Sequence, residues 1–184
     1  MKDHYKTIQG WFNCPDLYKE VVAKAADNAK FVEIGCWKGK SASFMAEQIM
    51  NSKKAITFYC VDTWKGTLTE DGHQTDPDVV NDRLFEVFNL NLAPFAGYYN
   101  PIRSTSVEAA SQFENNSLDF IYIDASHEYI DVKNDIQAWL PKLKKGGIIA
   151  GDDYNSSQVS RAVREFFGNS IVSPNRFTWI HYSK

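Results

Sequence analysis

The chain has 184 residues, 43% hydrophobic and 23% charged, with a formal net charge of −3 at pH 7. That length fits one domain, residues 1–184, able to bury a sizeable core. The acidic balance, without a long Lys/Arg run, excludes a broad nucleic-acid footprint.

The opening run MKDHYKTIQGWFN lacks the apolar stretch of a signal peptide, and no segment approaches a membrane span. Cys14, Cys36 and Cys60 show no paired spacing, so free thiols and a cytoplasmic, reducing compartment are expected.

Residues 1–30 read as an N-terminal cap region. Its helix runs from Leu17 to Ala29, is entered through Pro15 and Asp16, and puts Leu17, Val21, Val22 and Ala25 on one face. A short strand follows at Phe31–Ile34, then a helix over Ser41–Met50 and a second strand over Ile56–Val61 that ends on Asp62. Residues 63–98 are irregular and rich in Gly and Pro, with one helix expected from Val79 to Leu90. Their length points to a lid or surface insertion. Beyond it come a strand at Tyr99–Arg103, a helix at Val107–Phe113, a strand at Leu118–Ile123, a helix at Tyr129–Leu140 and a strand at Gly147–Ala150. The chain closes with a helix over Ser157–Phe167 and a hairpin pairing Ser170–Val172 with Phe177–Tyr182. This alternation predicts an α/β, Rossmann-like doubly wound sheet of seven strands. It should be mostly parallel, with an antiparallel last strand.

In such a sheet ligands sit at the carboxyl ends of the strands. The run LDFIYIDASHEY ends its apolar stretch on Asp124 with His127 three residues on, and KKGGIIAGDDYN ends on Asp152 and Asp153. Three carboxylates at one edge repel unless a cation lies between them. Hard oxygen ligands favour a divalent metal, magnesium first. Capping and turn roles are the alternative for each acid taken alone. For His127 the alternative is an exposed loop histidine. Glu128, Asp131 and Asp135 read as helix-capping or surface acids.

The turn FVEIGCWKGKS runs a strand into Gly35, with Gly39 before a helix, as close backbone approach to a ligand requires. Glu33, inside the strand, needs hydrogen bonds or a cation, and a ligand ammonium is one way to supply them. Asp62 stands where a carboxylate accepts both hydroxyls of a ribose. Trp64 either stacks on a flat base or belongs to the core or lid.

With these residues placed, the chain resembles a class I S-adenosylmethionine-dependent methyltransferase. More narrowly, it resembles the metal-dependent O-methyltransferases of catechols and macrolide sugars. The resemblance spans Phe31–Tyr154 and is carried by IDASHEY and DIQAWLPKLKKGGIIAGDDY, with Trp11 and Phe12 belonging to an N-terminal cap. It implies that Glu33, Gly35 and Gly39 frame the methionine portion of S-adenosylmethionine, with Ser41 near its carboxylate. Asp62 would hold the ribose, Ser106 would lie by the adenine, and Asp124, also placed against the cofactor, would join Asp152 and Asp153 as metal ligands. His127 would be the catalytic base. No counterpart of the extra N-terminal domain of the macrolide enzymes is expected, so the N-terminal segment and residues 63–98 are expected to build the substrate pocket.

The function expected is methyl transfer to a hydroxyl of a small molecule, sugar or diol-like. No nucleic acid or membrane partner is expected, and a homo-oligomer through the aromatic N-terminus is left open. Two rivals stand beside it. A nicotinamide-dependent oxidoreductase is disfavoured by the glycine spacing. A non-catalytic cofactor-binding module is disfavoured by the retained acids and His127.

Overall fold

A computed structural model describes residues 3–67 and 71–184, so three residues of the expected 63–98 lid, 68–70, lie outside the description. Six strands form one sheet: β1 (Lys30–Ile34), β2 (Thr57–Asp62), β3 (Asn100–Arg103), β4 (Leu118–Ile123), β5 (Leu143–Gly151) and β6 (Trp179–Tyr182), in the order β3-β2-β1-β4-β5-β6. All neighbours are parallel except β5 and β6, which are antiparallel.

Alternation along β1 divides the core. Phe31 joins Phe58, Phe120 and Tyr122 beneath α1 (Pro15–Lys24) and α2 (Lys40–Ser52). Val32 and Ile34 face the opposite layer of α6 (Ser106–Ala110), α7 (Tyr129–Trp139) and α8 (Ser157–Phe167). Two helical layers over a parallel sheet bury both of its faces, which is why its strands are nearly continuous in apolar residues. Because β1 and β4 are adjacent and central, the loops after them meet at one edge.

Several boundaries differ from expectation. Among the described residues the sheet has six strands, not seven. Among Ser170–Val172 only Val172 pairs, through one isolated antiparallel bridge to Ile180. Beyond it, Pro174 has no N–H, and the Asn175 side chain accepts the N–H groups of Phe177 and Thr178 at 2.8 and 2.9 Å, which diverts them from a ladder. The first helix stops at Lys24 rather than Ala29. There the Lys54 ammonium donates to the carbonyls of Val22, Ala23 and Ala25, and Asn28 turns left-handed. The single helix expected over Val79–Leu90 is two, α4 (Pro77–Val80) and α5 (Leu84–Leu92), separated by Asp82 at φ 51°. A further short helix, α3 (Asp71–Gln74), precedes them.

Candidate active site

A cavity of about 980 Å³ opens along the carboxyl edge of β1–β5, large enough for a nucleotide-sized ligand with a second molecule beside it. Gly35, Ser41, Asp62, Ser106, Asp124, His127, Asp152 and Asp153 all line it. The sheet topology brings these eight residues together from the carboxyl ends of five strands and the starts of the helices that follow.

The turn after β1 is built by close approaches. At Gly35, with φ 86°, an added Cβ would lie 1.9 Å from the carbonyl oxygen of Asp124, so only glycine lets the β1 and β4 ends meet. Gly39, with φ 89°, caps α2 and packs on Leu92 and Phe88, outside the cavity lining. Glu33 is also outside it. The carboxylate of Glu33, 1% exposed, accepts the hydroxyls of Tyr18 and Ser41, each at 2.8 Å. These two internal donors replace the ligand ammonium expected there, and Glu33 forms the floor beneath Ser41. Burial pushes its carboxyl up to about 7, against the downward pull of the Ser41 and Tyr18 bonds.

Asp62 ends β2 and ties the turn to it. One oxygen accepts the N–H groups of Cys36 and Trp37 at 2.8 and 2.9 Å, the other that of Trp64 at 2.7 Å. A carboxylate has about four lone-pair sites, so these three bonds leave room for one more donor. Trp64 is not a base-stacking residue. It is fully buried, tilted against Phe85 and Phe88 with centroids 4.6 and 4.7 Å away, and its indole N–H donates to the Trp37 carbonyl at 3.0 Å. Its left-handed backbone, φ 52°, turns the ring into the core.

At the β4 and β5 ends, Asp124, His127 and Asp153 bring one donor atom each within 4.8 Å of one another. His127 Nε2 lies 2.9 Å from Asp153 and 3.9 Å from Asp124. These two carboxylates, Asp124 first, raise the imidazole to about 11, so it is an imidazolium in this arrangement. Asp153, at φ 55°, turns back toward His127 as few side chains other than Asn and Asp do readily.

The expected trio of acids is thereby divided. Asp152 stands outside the cluster because its Oδ2 accepts Asn13 Nδ2 at 2.9 Å, while its buried Oδ1 has no hydrogen-bond partner among the described residues. Burial, then the charge of Asp124, pushes the Asp152 carboxyl up to about 7. An orphaned buried carboxylate oxygen next to two further acids is a donor set that fits a hard dication.

Other cavity residues carried no binding or catalytic assignment from sequence. Asn13 is 139 positions from its partner and leaves no sequence signal. Trp37 and His73 stack with centroids 3.9 Å apart at 15° and wall the cavity, and the Trp37 indole N–H is buried without a partner among the described residues. Lys40 lines it too, donating to the Gly10 carbonyl at 3.0 Å. Trp11 stands 71% exposed at its edge. Asp135, read as a surface acid, is 5% exposed and lines the cavity. Its place on the stripe of Val132, Ile136 and Trp139 is the signal that would have found it.

Two curated relatives are the uncharacterized protein y4gI of Sinorhizobium fredii, 26% identical over 67% of this chain, and the uncharacterized protein R132 of Acanthamoeba polyphaga mimivirus, 28% identical over 82%. The chain spans 13% and 66% of their respective lengths. Among solved structures, the O-methyltransferase NovP superposes with a TM-score of 0.73 at 16% identity, covering 92% of this chain and 79% of NovP, a likeness of fold. Residues 32–154 match the family described as "Methyltransferase domain". That segment runs from β1 through Asp152 and Asp153, and so contains most of the cavity's wall: the chain belongs to the methyltransferase-domain family.

Proposed function

We propose that this chain transfers the methyl group of S-adenosylmethionine to a hydroxyl of a small molecule, sugar or diol-like. The observation that carries the reading is one cavity joining Asp62 to the Asp124–His127–Asp153 cluster. Membership of the methyltransferase-domain family supports the donor. Residues 1–184 act as one domain, with residues 1–30 as a cap and 63–98 as the lid.

In this reading the donor lies along the β1 turn. Ser41 and the start of α2 face its methionine end, Asp62 takes a ribose hydroxyl at its remaining acceptor site, and Ser106 lies toward the base. The acceptor occupies the other end of the cavity, beside Asn13, Trp11 and the acid cluster. Asp124, Asp152 and Asp153 would hold a divalent ion, magnesium first, which when bound lowers the pKa of the acceptor hydroxyl and fixes its position. His127 receives the hydroxyl proton. It can do so only as the neutral imidazole, so its contacts with Asp153 and Asp124, which favour the imidazolium, must first be released and its bound proton given up to solvent.

Among the described residues no helix is long and apolar enough to cross a membrane. A cytoplasmic enzyme acting on a soluble acceptor is consistent with that.

The reading is tested with labelled S-adenosylmethionine and a panel of sugars and diols, with magnesium present or chelated. Label transfer to an acceptor hydroxyl that requires the metal supports it. Tight donor binding with no transfer to any acceptor would leave a non-catalytic module, and transfer that survives chelation would remove the metal.

A further inference from the structure

Residues 8–14 form neither helix nor strand, and side-chain bonds hold much of this segment to the rest of the chain. Gln9 Oε1 accepts the Lys38 ammonium at 3.0 Å, and the Gly10 carbonyl accepts the Lys40 ammonium at 3.0 Å. Cys14 Sγ donates to the Tyr122 hydroxyl at 3.0 Å. Those three bonds lead to the start of α2, the turn before it and the interior of β4. The fourth is different. Asn13 Nδ2 donates to Asp152 Oδ2 at 2.9 Å, and Asp152 belongs to the acids at the β5 end. Gly10, Trp11 and Asn13 all line the cavity, so the bond joins a wall of the cavity to the acids.

The terminal torsion of an aspartate is broad, and the Asn13 bond to Oδ2 restricts it. An ionised carboxylate only accepts, so the amide nitrogen is the atom that faces it. Oδ1 is left without a partner among the described residues, although Asp152 is 7% exposed. The main chain of Asn13 is held as well. Its carbonyl accepts Asn175 Nδ2 at 3.3 Å, and Asn175 Oδ1 in turn accepts the N–H of Phe177, another cavity residue, at 2.8 Å. We propose that Asn13 is a positioning residue that couples the dication to the N-terminal segment: its bond to Oδ2 leaves Oδ1 as the oxygen available to the ion, and an ion held there fixes Asp152 in the orientation that docks the segment. The proposal rests on the reading of Asp124, Asp152 and Asp153 as holders of a divalent ion. Such linkage is reciprocal, so the factor by which the docked segment tightens the ion is the factor by which the ion tightens docking. Loading the ion thereby completes the wall that Trp11 and Asn13 give to the acceptor's end of the cavity.

Two measurements on the full chain test it, both with manganous ion as the probe and no substrate present. The first is manganese affinity, read from the free-ion paramagnetic resonance signal. Loss of a hydrogen bond to a metal-holding carboxylate typically costs 10–100-fold, and because Asn13 is itself exposed, Asn13→Ala should fall at the lower end, about tenfold weaker. Asn13→Gln keeps the donor and should stay within about threefold of wild type. The second is chymotryptic cleavage after Trp11 or Phe12, which tracks the undocked population of the segment. Saturating manganese should slow that cut about tenfold in the wild-type chain and less than about twofold in Asn13→Ala. Asn13→Ser, whose hydroxyl is too short to reach Asp152, replaces the alanine variant if that one does not fold. Unchanged manganese affinity in the truncated variant, equal weakening in Asn13→Gln, or cleavage that manganese does not slow would overturn the coupling while leaving the metal site intact. No manganese binding to the wild-type chain would overturn the metal reading and this one with it.

Discussion

Lys38 offers the sharpest test of how the segment around α4 is held to the turn after β1. It sits in the turn between β1 and α2, yet it is 4% exposed. Its ammonium reaches Asp76 at 2.7 Å, Asp78 at 2.8 Å and Gln9 at 3.0 Å, so one side chain joins the β1–α2 turn to α4 and to the N-terminal segment. Burial pushes the lysine down, but the bonds to Asp76 and Asp78 outweigh it and leave its pKa raised. Asp76, 7% exposed, is lowered: burial pushes it up, and Lys38 and the N–H groups of Asp78 and Val79 more than reverse this.

Replacing Lys38 with Met keeps the length of the stem and removes the charge. Breaking a buried pair from one side costs about 3–5 kcal/mol, because the partner is left uncompensated. Here Asp78 keeps Arg83 at 3.2 Å, and Asp76 keeps the Asp78 N–H at 2.9 Å, which places the expected loss near the lower end, about 3 kcal/mol. For a domain of this size that corresponds to roughly 6–12 °C in Tm, read by thermal unfolding. Adding Asp76→Asn removes the stranded charge, so the double variant should be more stable than the sum of the singles by about 1–3 kcal/mol. Because the folded pKa of Asp76 lies below its unfolded value, its contribution is full above the unfolded pKa and is lost as pH falls through the folded one. The acid limb of the stability curve should flatten in Lys38→Met. A Tm unchanged within error, or strict additivity in the double variant, would refute the buried latch.

Other outcomes follow from the same geometry. Glu33 is raised from 4.5 to about 7, so its stabilising contribution is full below pH 4.5 and lost as pH rises through 7. The wild-type chain should therefore lose on the order of 3 kcal/mol across that window, and denaturant titrations of Glu33→Gln should show a shallower decline. Gly35→Ala meets the Asp124 carbonyl and a positive φ together, and should destabilise by about 4 kcal/mol or more, seen as loss of soluble protein or a large fall in denaturation midpoint. Asp152→Ala and Asp153→Ala should abolish metal-dependent turnover while sparing donor affinity. His127→Ala should lower kcat by about 10²–10⁴ with metal still bound, and full activity of that variant at every pH would remove the base.

What could be read from sequence divides along a physical line. Strand ends announce themselves, because an apolar run that stops on Asp62, Asp124 or Asp152 marks the point where the sheet meets solvent, and parallel topology then gathers those ends at one edge. The contacts that decide each side chain's job are mostly non-local and leave no such mark. Glu33 is satisfied by Tyr18 from α1 and Ser41 from α2, Asp152 is turned by Asn13, and Trp64 is drawn into the core by the aromatic side chains of α5. Asp135 lies between these cases. Its helical stripe was legible, but acids on helices are so often solvated that the stripe alone did not overrule the expectation. The seventh strand failed for a local reason, turn chemistry at Pro174 and Asn175, that the alternation of apolar residues conceals.

This division bears on how the acid cluster works. Asp124, Asp152 and Asp153 are adjacent in the fold because the β4 and β5 ends are, but adjacency does not make them equivalent. Without a dication, the imidazolium of His127 lies against Asp124 and Asp153, and Asp152 is left with Asn13 and an orphaned oxygen. One positive charge offsets only one of the three carboxylates, and burial, then the charge of Asp124, pushes the Asp152 carboxyl up to about 7. The site in this form has less positive charge than its carboxylates can accept. The same imbalance bears on the proposed role of His127: an imidazolium held by two carboxylates cannot take a proton, and it could do so only once it is released and its bound proton has passed to solvent. In the proposed mechanism, proton transfer to His127 would thus depend on the charge balance of the three acids, through its 2.9 Å contact with Asp153 and its 3.9 Å ion pair with Asp124.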